Sequence, residues 1–146
     1  YTYLGKTVYR RLCEIYEKYG YVLDKNISVQ YSGLNAMKEM NAVVDALKGM
    51  KVTSLSPFAV EAVRDYSVPS RTVCATGEVQ PIDIPACNCV YYELEGGSFV
   101  CVRPSGTEPK LKIYYSLRAP DEATAEEKLG ELKKSVDGML GKAGKN

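Results

Sequence analysis

The strongest constraint on the fold lies between residues 88 and 118, where three strand patterns follow one another. Two of them, in NCVYYELEGGSFVCVR, flank the dipeptide Gly96-Gly97, which supplies the positive φ angles of a tight hairpin turn. The third, KLKIYYSLR, alternates apolar with polar residues, so one face of its strand lies inward and the other is wet. These patterns predict a sheet of antiparallel strands.

A helix pattern stands at the amino-terminal end of the chain. Apolar residues recur there at helical spacing, at Val8, Leu12, Ile15 and Tyr19. Thr7 is the predicted N-cap and Gly20 follows the last turn. The pattern therefore predicts an amphipathic helix from Thr7 to Tyr19.

Two further helices are predicted on either side of the strand region. The first takes Ser32 as its cap and ends at Gly49, with an apolar stripe formed by Leu34, Met37, Met40, Val44 and Leu47. The second is capped by Asp121 and carries Ala125, Leu129, Leu132, Val136 and Met139 on its apolar side. Its tail, GKAGKN, is expected to fray.

The remaining segments give weaker strand signals. Ile27, Val29 and Tyr31 alternate with polar residues and predict a short strand. In SLSPFAVEAVRDY a helix starting at Ser56-Pro57 competes with a strand, and we favour a strand over Val60–Tyr66. The three prolines of residues 67–85 predict a long, mobile surface excursion. The whole order predicts an α+β fold, a mainly antiparallel sheet with helices packed on one face.

Composition narrows the possible functions. The formal net charge is +1, from 19 basic and 18 acidic residues, which does not indicate binding of nucleic acid or of a membrane surface by bulk charge. A membrane span needs about 20 apolar residues, and the sequence contains no such stretch. We expect a cytoplasmic protein.

Cysteine and histidine content limits the chemistry further. The five cysteines form no CxxC pair and the chain has no histidine, so a zinc site is not expected. Cys87 and Cys89 are predicted to lie on one face of a strand, and we expect the thiols to be reduced and buried. Without histidine the chain lacks the commonest general base, and any chemistry of its own would need carboxylate, lysine or tyrosine.

The segment RPSGTEPK joins the last two strand patterns and allows two interpretations. Arg103 can hold two phosphate oxygens in a fork, Ser105 and Thr107 can donate hydroxyl hydrogen bonds, and Gly106 lets backbone N–H groups approach a ligand. The same residue types are also those of ordinary turns. The residues alone leave open a phosphate cradle or a polar hairpin turn.

The longer stretch VCVRPSGTEPKLKIYY, residues 100–115, closely resembles the phosphate-binding loop and flanking strands of the carboxy-terminal domain of the α-D-phosphohexomutases, the phosphoglucomutase/phosphomannomutase superfamily. The resemblance implies the TBP-like fold of that domain. It also implies that residues 26–146 form the carboxy-terminal phosphate-binding domain, and that residues 1–25 end the preceding domain or form a linker helix. The continuation GTEPKLKIYY looks more like phosphoglucomutase than phosphomannomutase.

What the resemblance implies is transfer of a phosphoryl group between the 1 and 6 positions of a hexose, by way of a phosphoserine on another domain. Carried over by position, Arg103, Ser105, Gly106, Thr107 and Lys110 would hold the phosphate that is not reacting. The family's phosphoserine loop, aspartate-rich Mg²⁺ loop and sugar-selecting loop have no counterpart in this sequence. We therefore expect a fragment that is inactive alone, with no catalytic residue, metal or cofactor of its own, and Mg²⁺ in the full-length enzyme.

The expected partners are a hexose phosphate and the other domains of the same chain, without nucleic acid or membrane. The alternative is a stand-alone module that binds phosphate or nucleic acid. It would use the wet face of the last strand, on which Lys110, Lys112, Tyr114 and Arg118 are predicted to lie.

Overall fold

Antiparallel pairing organises most of the chain. The computed structural model describes residues 2–3 and 6–144. Its helices are α1 (Val8–Tyr19), α2 (Ala36–Gly49) and α3 (Glu122–Gly144). Its strands are β1 (Thr2–Tyr3), β2 (Lys6–Thr7), β3 (Tyr21–Gln30), β4 (Ser54–Leu55), β5 (Phe58–Asp65), β6 (Ser70–Val73), β7 (Val79–Pro81), β8 (Val90–Leu94), β9 (Phe99–Pro104) and β10 (Lys110–Ala119).

The main sheet has the strand order β3-β10-β9-β8-β5-β6-β7, with β4 paired to β5, and every pairing in it is antiparallel. Helices α2 and α3 pack on one face of it and against each other. The predicted α+β class is thus confirmed. The hairpin turn between β8 and β9 is also confirmed, since Gly96 and Gly97 have φ angles of +74° and +81°.

The core lies between this face and the two helices. Alternation along β10 buries Leu111, Ile113, Tyr115 and Leu117, as predicted. The five predicted core residues of α3 are also buried: Ala125, Leu129, Leu132, Val136 and Met139. The opposite face of the sheet, which we call the open face, carries the alternate residues of the same strands, among them Arg103, Lys112 and Tyr114.

Two predicted helix caps are confirmed and one is wrong. Thr7 Oγ1 accepts a hydrogen bond from Arg10 N at 3.2 Å, and Asp121 Oδ1 accepts one from Thr124 N at 2.7 Å. Ser32 caps nothing, because α2 begins four residues later, after a turn in which Gly33 has a φ angle of +103°. Leu34, which precedes the helix, and Met37, in its first turn, are exposed, while Met40, Val44 and Leu47 are buried as predicted.

Strand boundaries differ from the sequence prediction where pairing with a neighbour decides them. The predicted strand at Ile27–Tyr31 begins at Tyr21, because β3 pairs with all of β10. The strand predicted over Val60–Tyr66 is confirmed as β5. Residues 67–85 are not a purely irregular excursion, since β6 and β7 extend the sheet there. Every residue of β6 is half-buried, so this strand lacks the alternation that would have predicted it.

Two further expectations need correction, whereas the predicted amino-terminal helix is confirmed. The tail does not fray from residue 141, since α3 continues to Gly144 and buries Ala143, whereas residues 145–146 lie outside the described part. Cys87 precedes β8 and is exposed, so the expectation of buried thiols fails there. The predicted amphipathic helix forms as α1. The structure adds that Val8, Leu12 and Ile15 on its apolar side are exposed and lie outside the core.

Candidate anion-binding site

The segment Arg103–Lys110 lies at the end of the sheet where β9 passes into β10. Three backbone hydrogen bonds of 2.8 Å hold this connection, from Ser105 N to Lys110 O, from Lys110 N to Glu108 O, and from Tyr31 N to Pro109 O. The last of these ties the loop to the end of β3. Pro104 and Pro109 fix φ at the two sides of the loop. Hydrogen bonds within the chain therefore fix the backbone that carries the hydroxyls of the loop.

The middle of the loop offers polar groups and space. Ser105 Oγ accepts a long hydrogen bond of 3.4 Å from Glu108 N, which leaves its own hydrogen available to a ligand. Gly106 and Thr107 are exposed. A Cβ atom built at Gly106 would meet no atom within 4 Å, so packing within the chain does not require glycine there. The open space above Gly106 is available to an approaching ligand.

Glu108 could oppose an anion, and its position decides how strongly. Its carboxylate lies 3.8 Å from Lys110 Nζ, and its side chain is 63% exposed. The carboxylate thus partly neutralises Lys110 and is well solvated, so its effect is screened by water. Of the two cations predicted for this site, Arg103 and Lys110, it is Lys110 that has a carboxylate neighbour within the loop.

Lys112 is a second cation beside Arg103, and it was predicted only to lie on the wet face of the last strand. In the register between β9 and β10, Arg103 pairs directly with Lys112. Both side chains are exposed, and within the described part of the chain no carboxylate forms an ion pair with either. Like charges directly opposite each other on a sheet are destabilising. An anion bound between Arg103 and Lys112 would remove this repulsion.

Two other arginines of the open face, Arg64 and Arg71, are already engaged with a carboxylate. Glu93 accepts hydrogen bonds from Arg64 Nε at 3.0 Å and from Arg71 Nε. Burial opposes ionisation of Glu93, but these hydrogen bonds outweigh it and hold the pKa of the carboxyl below its usual value. Arg64 also lies over the Tyr91 ring, 5.1 Å from its centroid. This cluster is a closed ion-pair network, which distinguishes it from the unpaired Arg103.

All five residues predicted for the phosphate site lie on this one connection and its flanking strand ends. The strand register adds Lys112 to these five residues, although it was not among the residues predicted for the phosphate site. The signal for Lys112 was the hairpin register, because pairing of Pro104 with Leu111 places Arg103 opposite Lys112. Within the described residues, no cluster of three or more possible metal ligands occurs. No helix there is long and apolar enough to cross a membrane.

Comparison with known proteins gives matches to one family. A family model of the phosphoglucomutase/phosphomannomutase C-terminal domain matches residues 39–136. The phosphoglucomutase of Staphylococcus saprophyticus is 31% identical over 122 residues, which cover 82% of this chain and 22% of that protein. The phosphoglucomutase of Staphylococcus haemolyticus is 34% identical over 113 residues, 77% of this chain and 20% of that protein. The chain thus spans about a fifth of the length of these relatives.

A solved structure shows the same fold at low sequence identity. The crystal structure of the exocytosis-sensitive phosphoprotein pp63/parafusin, a phosphoglucomutase from Paramecium in its open form, aligns with a TM-score of 0.57 at 12% identity. The alignment covers 97% of this chain and 24% of the parafusin chain. The similarity therefore extends over nearly the whole of the present chain and over one part of a larger protein.

Proposed function

The chain belongs to the family of phosphoglucomutase/phosphomannomutase C-terminal domains, and on this premise we propose that it is the substrate-phosphate-binding domain of a phosphoglucomutase-like phosphohexomutase. The observation that carries the proposal is that Arg103 and Lys112 face each other on neighbouring strands without a carboxylate partner. They lie at the start of a loop whose backbone is held by internal hydrogen bonds and which carries two hydroxyls. A phosphate ester supplies the charge and the multiple acceptor oxygens that this arrangement lacks.

In the proposed reaction a phosphoryl group moves between the 1 and 6 positions of a hexose, by way of a phosphoserine outside this chain. The Mg²⁺ that assists the transfer would be bound by that outside part as well. The chain alone would be inactive, and residues 1–25 would end the preceding domain or form a linker helix. The exposed apolar side of α1 supports this division, because such a side is suited to packing against another domain. A cytoplasmic location is part of the proposal.

Within the site, Arg103 would hold two oxygens of the phosphate that is not reacting. Ser105 and Thr107 would donate hydroxyl hydrogen bonds, the backbone at Gly106 would approach closely, and Lys110 would add a positive charge beside them. Lys112 is a further contact that the strand register makes available. Binding energy from this remote phosphate would orient the sugar for transfer at its other end, so its loss would lower turnover as well as affinity.

The test is Arg103→Ala in the full-length protein, with conversion of glucose 1-phosphate to glucose 6-phosphate as the assay. A bidentate charged contact contributes about 3 kcal/mol, so we expect kcat/KM to fall about a hundredfold. Lys112→Ala removes a single charged contact and should cost about tenfold. Arg118→Ala is the matched control, since Arg118 is exposed at the opposite end of β10, and its kinetics should stay within about twofold.

Unchanged kinetics for Arg103→Ala, with the protein folded, would refute the role given to the loop. The stand-alone alternative is tested separately, by titrating the protein with glucose 1,6-bisphosphate and with single-stranded nucleic acid. Binding of nucleic acid that weakens with salt, together with no response to the sugar bisphosphate, would overturn the mutase proposal.

A further inference from the structure

Two thiols face each other across the strands that precede the anion-binding loop. Cys89 Sγ lies 3.0 Å from Cys101 Sγ. Cys89 directly precedes β8 and Cys101 lies within β9, where Tyr91 pairs with Cys101 and Val90 with Val102. Cys89 is therefore the diagonal neighbour of Cys101. A disulfide has an S–S distance of about 2.05 Å, so an approach of about 1 Å by the two sulfur atoms would close the bond.

The surroundings give the two sulfur atoms different reactivity. The hydrogen bond with Cys89 lowers the pKa of the Cys101 thiol, and the positive charge of Arg103 acts in the same direction while burial opposes both. The pKa of Cys89 is raised, first by the hydrogen bond with Cys101 and then by burial. Cys101 is also half-buried, whereas Cys89 is buried. Because Cys101 is the less buried of the two, we assign it as the thiol that meets an oxidant first, and Cys89 as the thiol that then reacts with it.

We propose that Cys89 and Cys101 form a site of reversible oxidation by hydrogen peroxide. The Cys101 thiolate attacks one peroxide oxygen, the O–O bond breaks, and a sulfenic acid forms on Cys101 as hydroxide leaves and is protonated to water. The Cys89 thiol then loses its proton and attacks the Cys101 sulfur, so the S–S bond forms, the S–O bond breaks and a second water leaves. Two thiols lose two electrons and two protons in total, and one peroxide becomes two waters.

The location of the pair gives the oxidation a structural consequence. Arg103 follows Cys101 by two residues on the same strand face, and its charge acts on both thiols. A disulfide would tie the start of β8 to β9 next to that arginine. The inference does not depend on the proposed function, because it rests on the separation of the two sulfur atoms.

The experiment is disulfide mapping of the full-length protein after treatment with hydrogen peroxide and blocking of the remaining thiols. Trypsin is unsuitable, because no lysine or arginine lies between Cys89 and Cys101. A protease that cleaves after glutamate separates them at Glu93 and Glu95, leaving Cys87 with Cys89 in one peptide and Cys101 in the other. We expect the two peptides to be joined, with a mass lower by two hydrogen atoms than their sum, and to separate under dithiothreitol.

The exposed Cys87 is the competing partner for Cys101, and a variant distinguishes the two. Cys87→Ser changes an exposed side chain, so it should leave the fold intact, and the cross-link should form with unchanged yield within about twofold. Cys74→Ser is the control for a half-buried thiol outside the pair and should also leave the cross-link unchanged. Loss of the cross-link in Cys87→Ser would overturn the proposal, as would peroxide-treated wild-type protein without the joined peptides.

Discussion

The hydroxyl of Tyr92 provides a sharp test of how the core is built. Tyr92 lies on the covered face of β8 and is 0% exposed. Its Oη has no hydrogen-bond partner in the described structure, and burial raises the pKa of Tyr92. A buried hydroxyl without a partner costs about 1–3 kcal/mol relative to water. We therefore expect Tyr92→Phe to stabilise the protein.

The magnitude follows from two opposing effects. Removing the oxygen abolishes the desolvation cost but leaves a void on the order of 10 Å³, which at about 24 cal/mol per Å³ costs about 0.2 kcal/mol. The net gain in the free energy of unfolding should be about 1 kcal/mol or more, a rise in Tm of about 4 °C for a chain of this size. Urea unfolding followed by circular dichroism measures the change.

Tyr91 supplies the matched control, since it is the neighbouring residue of the same strand and lies half-buried on the open face. Tyr91→Phe should change the free energy of unfolding by no more than about 0.5 kcal/mol. A Tyr92→Phe variant that is less stable than wild type by about 1 kcal/mol would refute the reasoning, because the hydroxyl would then have to contribute a favourable hydrogen bond.

Two further predictions concern charge and packing. The pKa of Glu93 in the folded protein is lowered from the usual value of about 4.5, so its contribution to stability is fully present above pH 4.5 and is lost as pH falls through the folded pKa. The variant Glu93→Gln should therefore lose less free energy of unfolding between pH 5 and 3 than wild type does. An identical pH dependence in the two proteins would contradict the ion-pair network. Leu132 is 0% exposed, so Leu132→Ala should lower the free energy of unfolding by about 2–5 kcal/mol, as measured by urea unfolding. Leu34 is fully exposed, so Leu34→Ala should lower it by less than about 0.5 kcal/mol. Similar losses at both positions would contradict the assigned core.

The features that the sequence predicted correctly are those determined by neighbours along the chain. Alternation gave the buried side of β10, the dipeptide Gly96-Gly97 gave the hairpin, and the short-range caps at Thr7 and Asp121 formed as expected. Each of these needs only a few adjacent residues to define its geometry.

The features that the sequence did not predict depend on distant partners. The short strand β6 forms because it pairs with β5 on one side and with β7 on the other, and its own residues show no alternation. The exposure of Val8 and Leu12 likewise cannot be predicted from a helical pattern. The pattern identifies the apolar side of the helix, but it does not identify the element that packs against that side. The loop of the candidate site was recognisable as a motif, whereas Lys112 was added only by the register of the hairpin.

The asymmetry of the sheet explains why the candidate site can tolerate unpaired charge. Helices α2 and α3 bury the covered face, and the apolar residues of that face form the core that holds the strands together. On the open face, Glu93 neutralises part of the charge of Arg64 and Arg71, but Arg103 and Lys112 face each other without a carboxylate. Their repulsion is unfavourable for the sheet, and in the proposed function a bound dianion would relieve it. A residue pair that is unfavourable for folding is expected more often at a functional site than on a solvated strand face, and this is why we include Lys112 in the proposed site.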